Sequence, residues 1–173
     1  PLGRNGGGSG LPLWPSGPVS WFSSPVAGAT DLAYRLLARE CGAAVTFTEF
    51  TAADALTRRN THSWLKVESD PREKPFIPQI FGGITSEMVE TVELLQDRAD
   101  VIDINFGCPA PKVCRNAAGA ALLRDPDRVV EMVRACLDVA EVPITGKVRP
   151  GTGGGPDKAA EVPEPTQAAG RER

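Results

Sequence analysis

The sequence predicts an α/β fold, a partial (β/α)8 TIM barrel with about five βα strands, and three observations carry that expectation. Short apolar runs of strand length alternate with helix-length segments between residues 21 and 150. The helical segments are long enough to cross back between parallel strands in the right-handed sense. Residues suited to chemistry fall just after the apolar runs, on the face where a parallel sheet gathers its loops. Alternation alone fits an open doubly wound sheet as well. The convergence of every strand end on one pocket is what favours the barrel.

The elements follow in order. Residues 1–20 (GRNGGGSG, then PLWPSGP) have no periodicity and predict a disordered segment. A first strand is expected over Trp21–Val26, then a helix capped by Asp31 that runs to about Cys41 and ends at Gly42. Ala44–Thr48 reads as the second strand and Thr51–Arg58 as a short helix. Phe76–Phe81 is the third strand, and Ser86 can cap a helix with Met88, Val92 and Leu95 at helical spacing. Val101–Asn105 is the fourth strand. Asp125-Pro126 then opens a helix whose stripe is Val129, Val133, Cys136, Leu137 and Ala140. Pro143–Val148 is the fifth strand, and residues 151–173, mixed Gly, Pro and charge, predict a disordered tail. The domain organisation is thus one partial barrel over 21–150 between two tails.

Composition narrows the function. The 173 residues are 41% hydrophobic and 24% charged with a net charge of -3, which suits one globular domain and leaves room only for a local basic rim toward nucleic acid. Four cysteines (Cys41, Cys108, Cys114, Cys136) form no C-x-x-C pair and His62 is alone, so no metal site is expected. No apolar run approaches the roughly 20 residues that cross a bilayer. Few cysteines on an α/β chain fit a reducing cytoplasm.

The strand ends carry the candidates. Ser24-Pro25-Val26-Ala27-Gly28 follows the first strand, Thr48-Glu49 the second, and Gln79 with Gly82-Gly83 closes the third. Asn105-Phe106-Gly107-Cys108-Pro109 follows the fourth, and Lys147 and Arg149 end the fifth. Singly, the glycines read as turn formers. Lys147 and Gln79 sit in apolar strands, where a charge or an amide needs partners. Cys108 lies on a loop rather than a helix stripe, which favours a role over inert burial; the other cysteines lack that setting. Glu49 is equally a cap or a contact. His62 reads as a surface loop residue, and Arg58-Arg59 as a solvated helix end.

These residues together resemble the tRNA-dihydrouridine synthase family. The resemblance rests on Ser24-Pro-Val-Ala-Gly-Ala-Thr-Asp31, Thr48-Glu49-Phe50 with Ala53-Asp54-Ala55-Leu56, and Pro78-Gln79-Ile80-Phe81-Gly82. It continues through Asp103-Ile-Asn-Phe-Gly-Cys-Pro-Ala-Pro-Lys-Val113, Gly119-Ala-Ala-Leu-Leu123 and Pro143-Ile-Thr-Gly-Lys147-Val-Arg149, and covers roughly residues 22–150. It implies a barrel with FMN at its mouth and NAD(P)H as reductant. Pro25, Val26, Ala27, Gln79 and Lys147 would contact the flavin, Asn105 and Arg149 the substrate. Cys108 would protonate C5 of a tRNA uridine while the flavin delivers hydride to C6. A thiol in that role must stay protonated near neutral pH.

The resemblance also implies further parts: a later histidine near the flavin, loops that bind the FMN phosphate, and a C-terminal helical domain that holds tRNA. None follows Arg149, and a complete barrel usually takes about 250 residues. The expectation is therefore an incomplete form. Two other readings remain at this point, an inactive or partner-dependent barrel fragment and another FMN-dependent barrel oxidoreductase such as a dihydroorotate dehydrogenase-like enzyme. The Gly-Cys-Pro-x-x-Lys-Val run favours the tRNA enzyme over the latter.

Overall fold

A computed structural model describes residues 21–149. The two expected disordered tails, residues 1–20 and 151–173, lie outside the described residues.

Seven strand pieces make up the sheets: β1 Trp21–Ser23, β2 Ala43–Phe47, β3 Thr51–Ala52, β4 Phe76–Ile77, β5 Gln79–Phe81, β6 Ile102–Asn105 and β7 Ile144–Lys147. Every pairing is parallel, in the orders β1-β2-β4 and β3-β5-β6-β7. The two sheets are halves of one. Pro78 has no N–H and interrupts the expected third strand, yet its carbonyl still accepts from Asp103 N at 3.0 Å. Thr48 closes the neighbouring gap, donating its own N–H to Ile77 O (3.2 Å) and accepting from Gln79 N at Oγ1 (3.0 Å). The strands therefore lie side by side in chain order without a reversal, as in a singly wound barrel and unlike a doubly wound sheet.

The helices are α1 Leu32–Glu40, α2 Ala53–Thr57, α3 Thr61–Lys66, α4 Thr85–Leu95, α5 Pro111–Cys114 and α6 Pro126–Val139, with a 3₁₀ helix over Gly119–Arg124. Asp31 caps α1 through Tyr34 N and Asp125 caps α6 through Arg128 N, as their positions predict. α4 differs: it starts at Thr85, Ser86 lies inside its first turn, and no side chain caps it. Close packing fixes that turn instead, because Gly82 leaves just enough room for Met88, whose Sδ would stand 2.8 Å from an added Cβ. The first strand stops at Ser23 rather than Val26 because the chain turns there, with Ala29 N and Thr30 N both donating to Val26 O.

The sheet's two faces differ in chemistry. Outward residues Ile80, Ile102 and Ile104 join Leu56, Met88, Val92, Leu95, Val129, Met132 and Cys136 in the main core beneath the helices. Inward residues run from apolar to polar along the strands. Val45, Ile77 and Val101 form a small separate cluster; Gln79, Asp103 and Thr145 lie one layer on; Asn105 and Lys147 pair in register above them. That gradient puts the polar layers at the strand C-termini, where a parallel barrel builds its site.

Candidate functional site

The loop after β6 is held by side chains from the strands beneath it. Asn105 Oδ1 accepts the backbone N–H of Gly107 (3.1 Å) and of Cys108 (2.8 Å). Its Nδ2 donates to Gln79 Oε1 at 2.8 Å, and Gln79 Nε2 donates to Asp103 Oδ2 at 2.6 Å. Asp103 Oδ1 accepts from Thr145 Oγ1 at 2.6 Å. A chain of hydrogen bonds thus crosses β7, β6, β5 and the Cys108 loop. Burial pushes the Asp103 carboxyl up from its ordinary value, opposed by the Thr145 and Gln79 hydrogen bonds and then by the positive charge of Lys147.

Lys147 stands opposite Asn105 in the β6–β7 pairing, and Phe106 N donates to Lys147 O at 2.9 Å. The expected thiol and lysine are therefore on one end of the sheet. Gly107 packs beside the end of β7, where an added Cβ would make ordinary contact with the backbone of Val148, Arg149 and Lys147 at 3.4–3.5 Å. Cys108 is half-buried, with its carbonyl accepting Ala120 N at 2.9 Å and the Cys114 thiol at 3.6 Å. Gly119 sits against it at a φ of +58°.

The loop borders two concavities. One, about 560 Å³, is lined by Ala27 after β1, Phe50–Ala52 beside β3, Phe81 at the end of β5, and Ala110 and Lys112 beyond Cys108. The other, about 180 Å³, is lined by Pro109, Cys114, Arg124 and Arg149. Ala27 and Arg149 thus each line a concavity that the Cys108 loop borders. Pro25 is half-buried and Val26 exposed on the turn after β1. That turn is tied to the mouth by Gly28 N donating to Glu49 Oε2 at 2.9 Å, with Lys66 Nζ 3.4 Å from the same oxygen.

Several participants escaped the sequence reading. Asp103 and Thr145 sit in runs read as plain strand. Their signal was a carboxylate and a hydroxyl inside apolar runs, each needing partners. His62 is exposed as expected but lies on α3 rather than a loop, because Asn60 caps a helix there through Ser63 N at 3.0 Å, and it lines the larger concavity. Cys136 is core, its thiol pushed up to about 12 by burial, and Cys41 is exposed away from the loop. Among the described residues no group of three or more His, Cys, Asp or Glu could hold a metal ion. Also among them, no helix is long and apolar enough to cross a membrane.

Sequence comparison decides the family. The dihydrouridine synthase (Dus) family model matches residues 22–173. The chain belongs to the dihydrouridine synthase family. The match runs on through the tail that the sequence reading had set apart. The chain is 39% identical over 137 residues to a probable tRNA-dihydrouridine synthase of Treponema pallidum, covering 75% of this chain and 40% of that one. It is 39% identical over 129 residues to tRNA-dihydrouridine synthase B of Pseudomonas aeruginosa, covering 74% and 39%. A probable tRNA-dihydrouridine synthase of Rhizobium leguminosarum is 33% identical over 148 residues, covering 85% and 46%. The chain spans less than half the length of these relatives. Within the dihydrouridine synthase family, the partial barrel with parallel strands in chain order is the expected fold.

Proposed function

We infer that this chain carries the uridine-reducing centre of a tRNA-dihydrouridine synthase, with Cys108 as the proton donor. One observation supports this above the others: Asn105 binds the Cys108 backbone at 2.8 Å and pairs in register with Lys147, so thiol and ammonium share the barrel mouth.

The residues present fit a flat, electron-accepting ring. A concavity of about 560 Å³ at the strand ends is in the size range of cofactor sites; Ala27 lines it, while Pro25, Val26, Gln79, Lys147 and Cys108 lie outside its lining. The Cys108 loop is joined to β7 by Phe106 N donating to Lys147 O at 2.9 Å, and Lys147 supplies a cation at the edge of that loop. Pro25, Val26, Ala27 and Lys147 would hold FMN, with Gln79 beneath them in the buried layer. FMN, reduced by NAD(P)H, would supply the hydride that adds to C6 of the uracil.

This chain's own residues do the rest. The Cys108 thiol gives its proton to C5, so the 5,6 double bond gains one hydride and one proton. Asn105 holds the thiol's backbone and keeps one Nδ2 hydrogen for the base. Arg149, beside Arg124 in the smaller concavity, faces the phosphate-rich side of a tRNA, where the two guanidinium groups meet charge of the opposite sign. A uridine must leave its stack to reach such a mouth.

The test is Cys108→Ala in the flavin-loaded protein. Flavin absorbance is retained and dihydrouridine formation on tRNA falls by about 10²–10⁴-fold, the usual contribution of a positioned general acid. Undiminished reduction in that variant removes Cys108 from the role.

A further inference from the structure

The polar chain behind Cys108 has two ends whose hydrogen-bonding sense is fixed, and the two agree. The N–H groups of Gly107 and Cys108 can only donate, so the Asn105 atom they meet at 3.1 and 2.8 Å must be its oxygen. Asn105 therefore turns its NH₂ to Gln79, which must present Oε1. Gln79 then has only its NH₂ left for Asp103, and an ionised carboxylate can only accept. Thr145 donates to the second carboxylate oxygen. Gln79 is 0%, Asp103 3% and Asn105 5% exposed, so water cannot repair a reversed amide.

We propose that Asp103, supported by Thr145, is a positioning residue that sets the sense of the Gln79 and Asn105 amides and so holds the Gly107–Cys108 backbone at the barrel mouth. Asp103 is buried beneath Asn105 and acts through two amides on the loop that bears the thiol. The proposal rests on the function inferred above only in giving Cys108 a reaction to perform. The relay stands or falls without any activity measurement.

Two isosteric exchanges separate a relay from independent buried contacts. Asn105→Asp keeps the acceptor for the loop N–H groups but turns a second acceptor toward Gln79. Gln79 must then rotate, and its oxygen meets the Asp103 carboxylate. Asp103→Asn alone keeps every bond, because the amide at position 103 can accept from Gln79 and donate to Thr145. Joined to Asn105→Asp, it lets the whole chain run in reverse: the position-103 amide donates to Gln79, and its oxygen accepts from Thr145. The charge of the double variant equals that of the wild type.

The experiment uses the full 173-residue chain, with iodoacetamide alkylation of the Cys108 peptide read by mass spectrometry and thermal melts taken across pH. Asp103→Asn should alkylate within about twofold of wild type. Asn105→Asp should alkylate about tenfold faster or more, reflecting a broken buried contact. Its melting temperature should also fall as pH rises, since a proton on the carboxyl at position 103 or 105 supplies the missing donor to Gln79. Lys147, the charged neighbour on β7, opposes protonation at position 103 and moves the fall to lower pH. The double variant should return to within about twofold of wild type and lose the pH dependence. Should Asn105→Asp fail to fold, a folded double variant supports the relay and an unfolded one overturns it. Simple addition of the two effects, or an unchanged Asn105→Asp, also overturns it. Absent flavin binding or uridine reduction in the wild type would defeat the inferred function and leave these outcomes untouched.

Discussion

Asn105 and Cys108 are three residues apart, and the Asn105 side chain accepts the Cys108 backbone N–H at 2.8 Å. This local ring fixes the thiol relative to β6, and the register of β6 against β7 fixes it relative to Lys147. Position of the thiol is thus a property of sheet pairing as well as of the loop's own contacts. Changes in the strands should therefore be felt at Cys108.

Lys147 is the first case. Its ammonium acts on Asp103 across the layer below, and its side chain is exposed at the mouth, open to an anionic ring edge. Lys147→Met keeps length and removes charge. FMN binding in the flavin-loaded form of the protein should weaken about tenfold, the scale of one lost charged hydrogen bond at a solvent-accessible site. Fluorescence titration of flavin checks it; unchanged affinity would place Lys147 outside the flavin site.

How much of this could be read in advance varies by element. Asp31 and Asp125-Pro126 marked helix starts that the structure keeps, because a cap acts within three residues. The β4–β5 break at Pro78 was written in the sequence as a missing N–H, but its repair by Thr48 depends on a residue thirty positions away in chain order. Cys108 stood out as a thiol on a loop rather than a helix stripe, and Gln79 and Lys147 as an amide and a charge in apolar strands. Asp103 shared that property and was passed over within a motif. Arg35 gave no local signal at all: it lies in the middle of α1, and the carboxylate that buries it comes from Glu73.

That Arg35–Glu73 pair is the second case. Arg35 Nε and Glu73 Oε1 are 2.6 Å apart with side chains 1% and 0% exposed. Arg35 also donates to Thr30 O (2.9 Å) and Glu68 O (2.6 Å), and Thr46 Oγ1 donates to Glu73 (3.0 Å). The cluster joins α1, β2, the turn after β1 and the segment before β4. Glu73→Ala leaves a buried guanidinium without its counter-charge and should cost about 3–5 kcal/mol. Replacing both partners, Arg35→Met with Glu73→Leu, should cost clearly less. Denaturant unfolding of the three variants decides it, and equal losses would contradict a dominant unpaired-charge cost.

Asp103 gives a pH prediction. Its folded-state carboxyl is raised above the ordinary 3.8 by burial, with Thr145, Gln79 and Lys147 opposing the shift. A raised carboxyl binds its proton more tightly in the folded state, so this group favours folding below 3.8 and that contribution is lost as pH rises through the folded value. Asp103→Asn removes the titration. Its melting temperature relative to wild type should therefore climb as pH is raised from acid toward neutrality. A difference independent of pH would mean that Asp103 titrates as it would in water.

Gly119 supplies the last case, because it packs against the Cys108 carbonyl, whereas the relay holds the Cys108 N–H. Its φ of +58° lies in the left-handed region, and a Cβ there would stand 2.7 Å from Cys108 O and 2.8 Å from Val113 Cγ1. The first atom is backbone and cannot swing away. Gly119→Ala thus combines an unfavourable dihedral, about 1–2 kcal/mol, with a displacement of the Cys108 carbonyl, whose bonds to Ala120 N and to the Cys114 thiol must lengthen. The variant should lose about 2–3 kcal/mol of stability in all and lower the rate of uridine reduction more than flavin affinity, since Ala27 and Lys147, the proposed flavin contacts, are untouched. Denaturant melts together with flavin titration and tRNA assays separate the two effects. A variant that keeps wild-type stability and turnover would show that the 3₁₀ segment yields, and that Asn105 alone places the thiol.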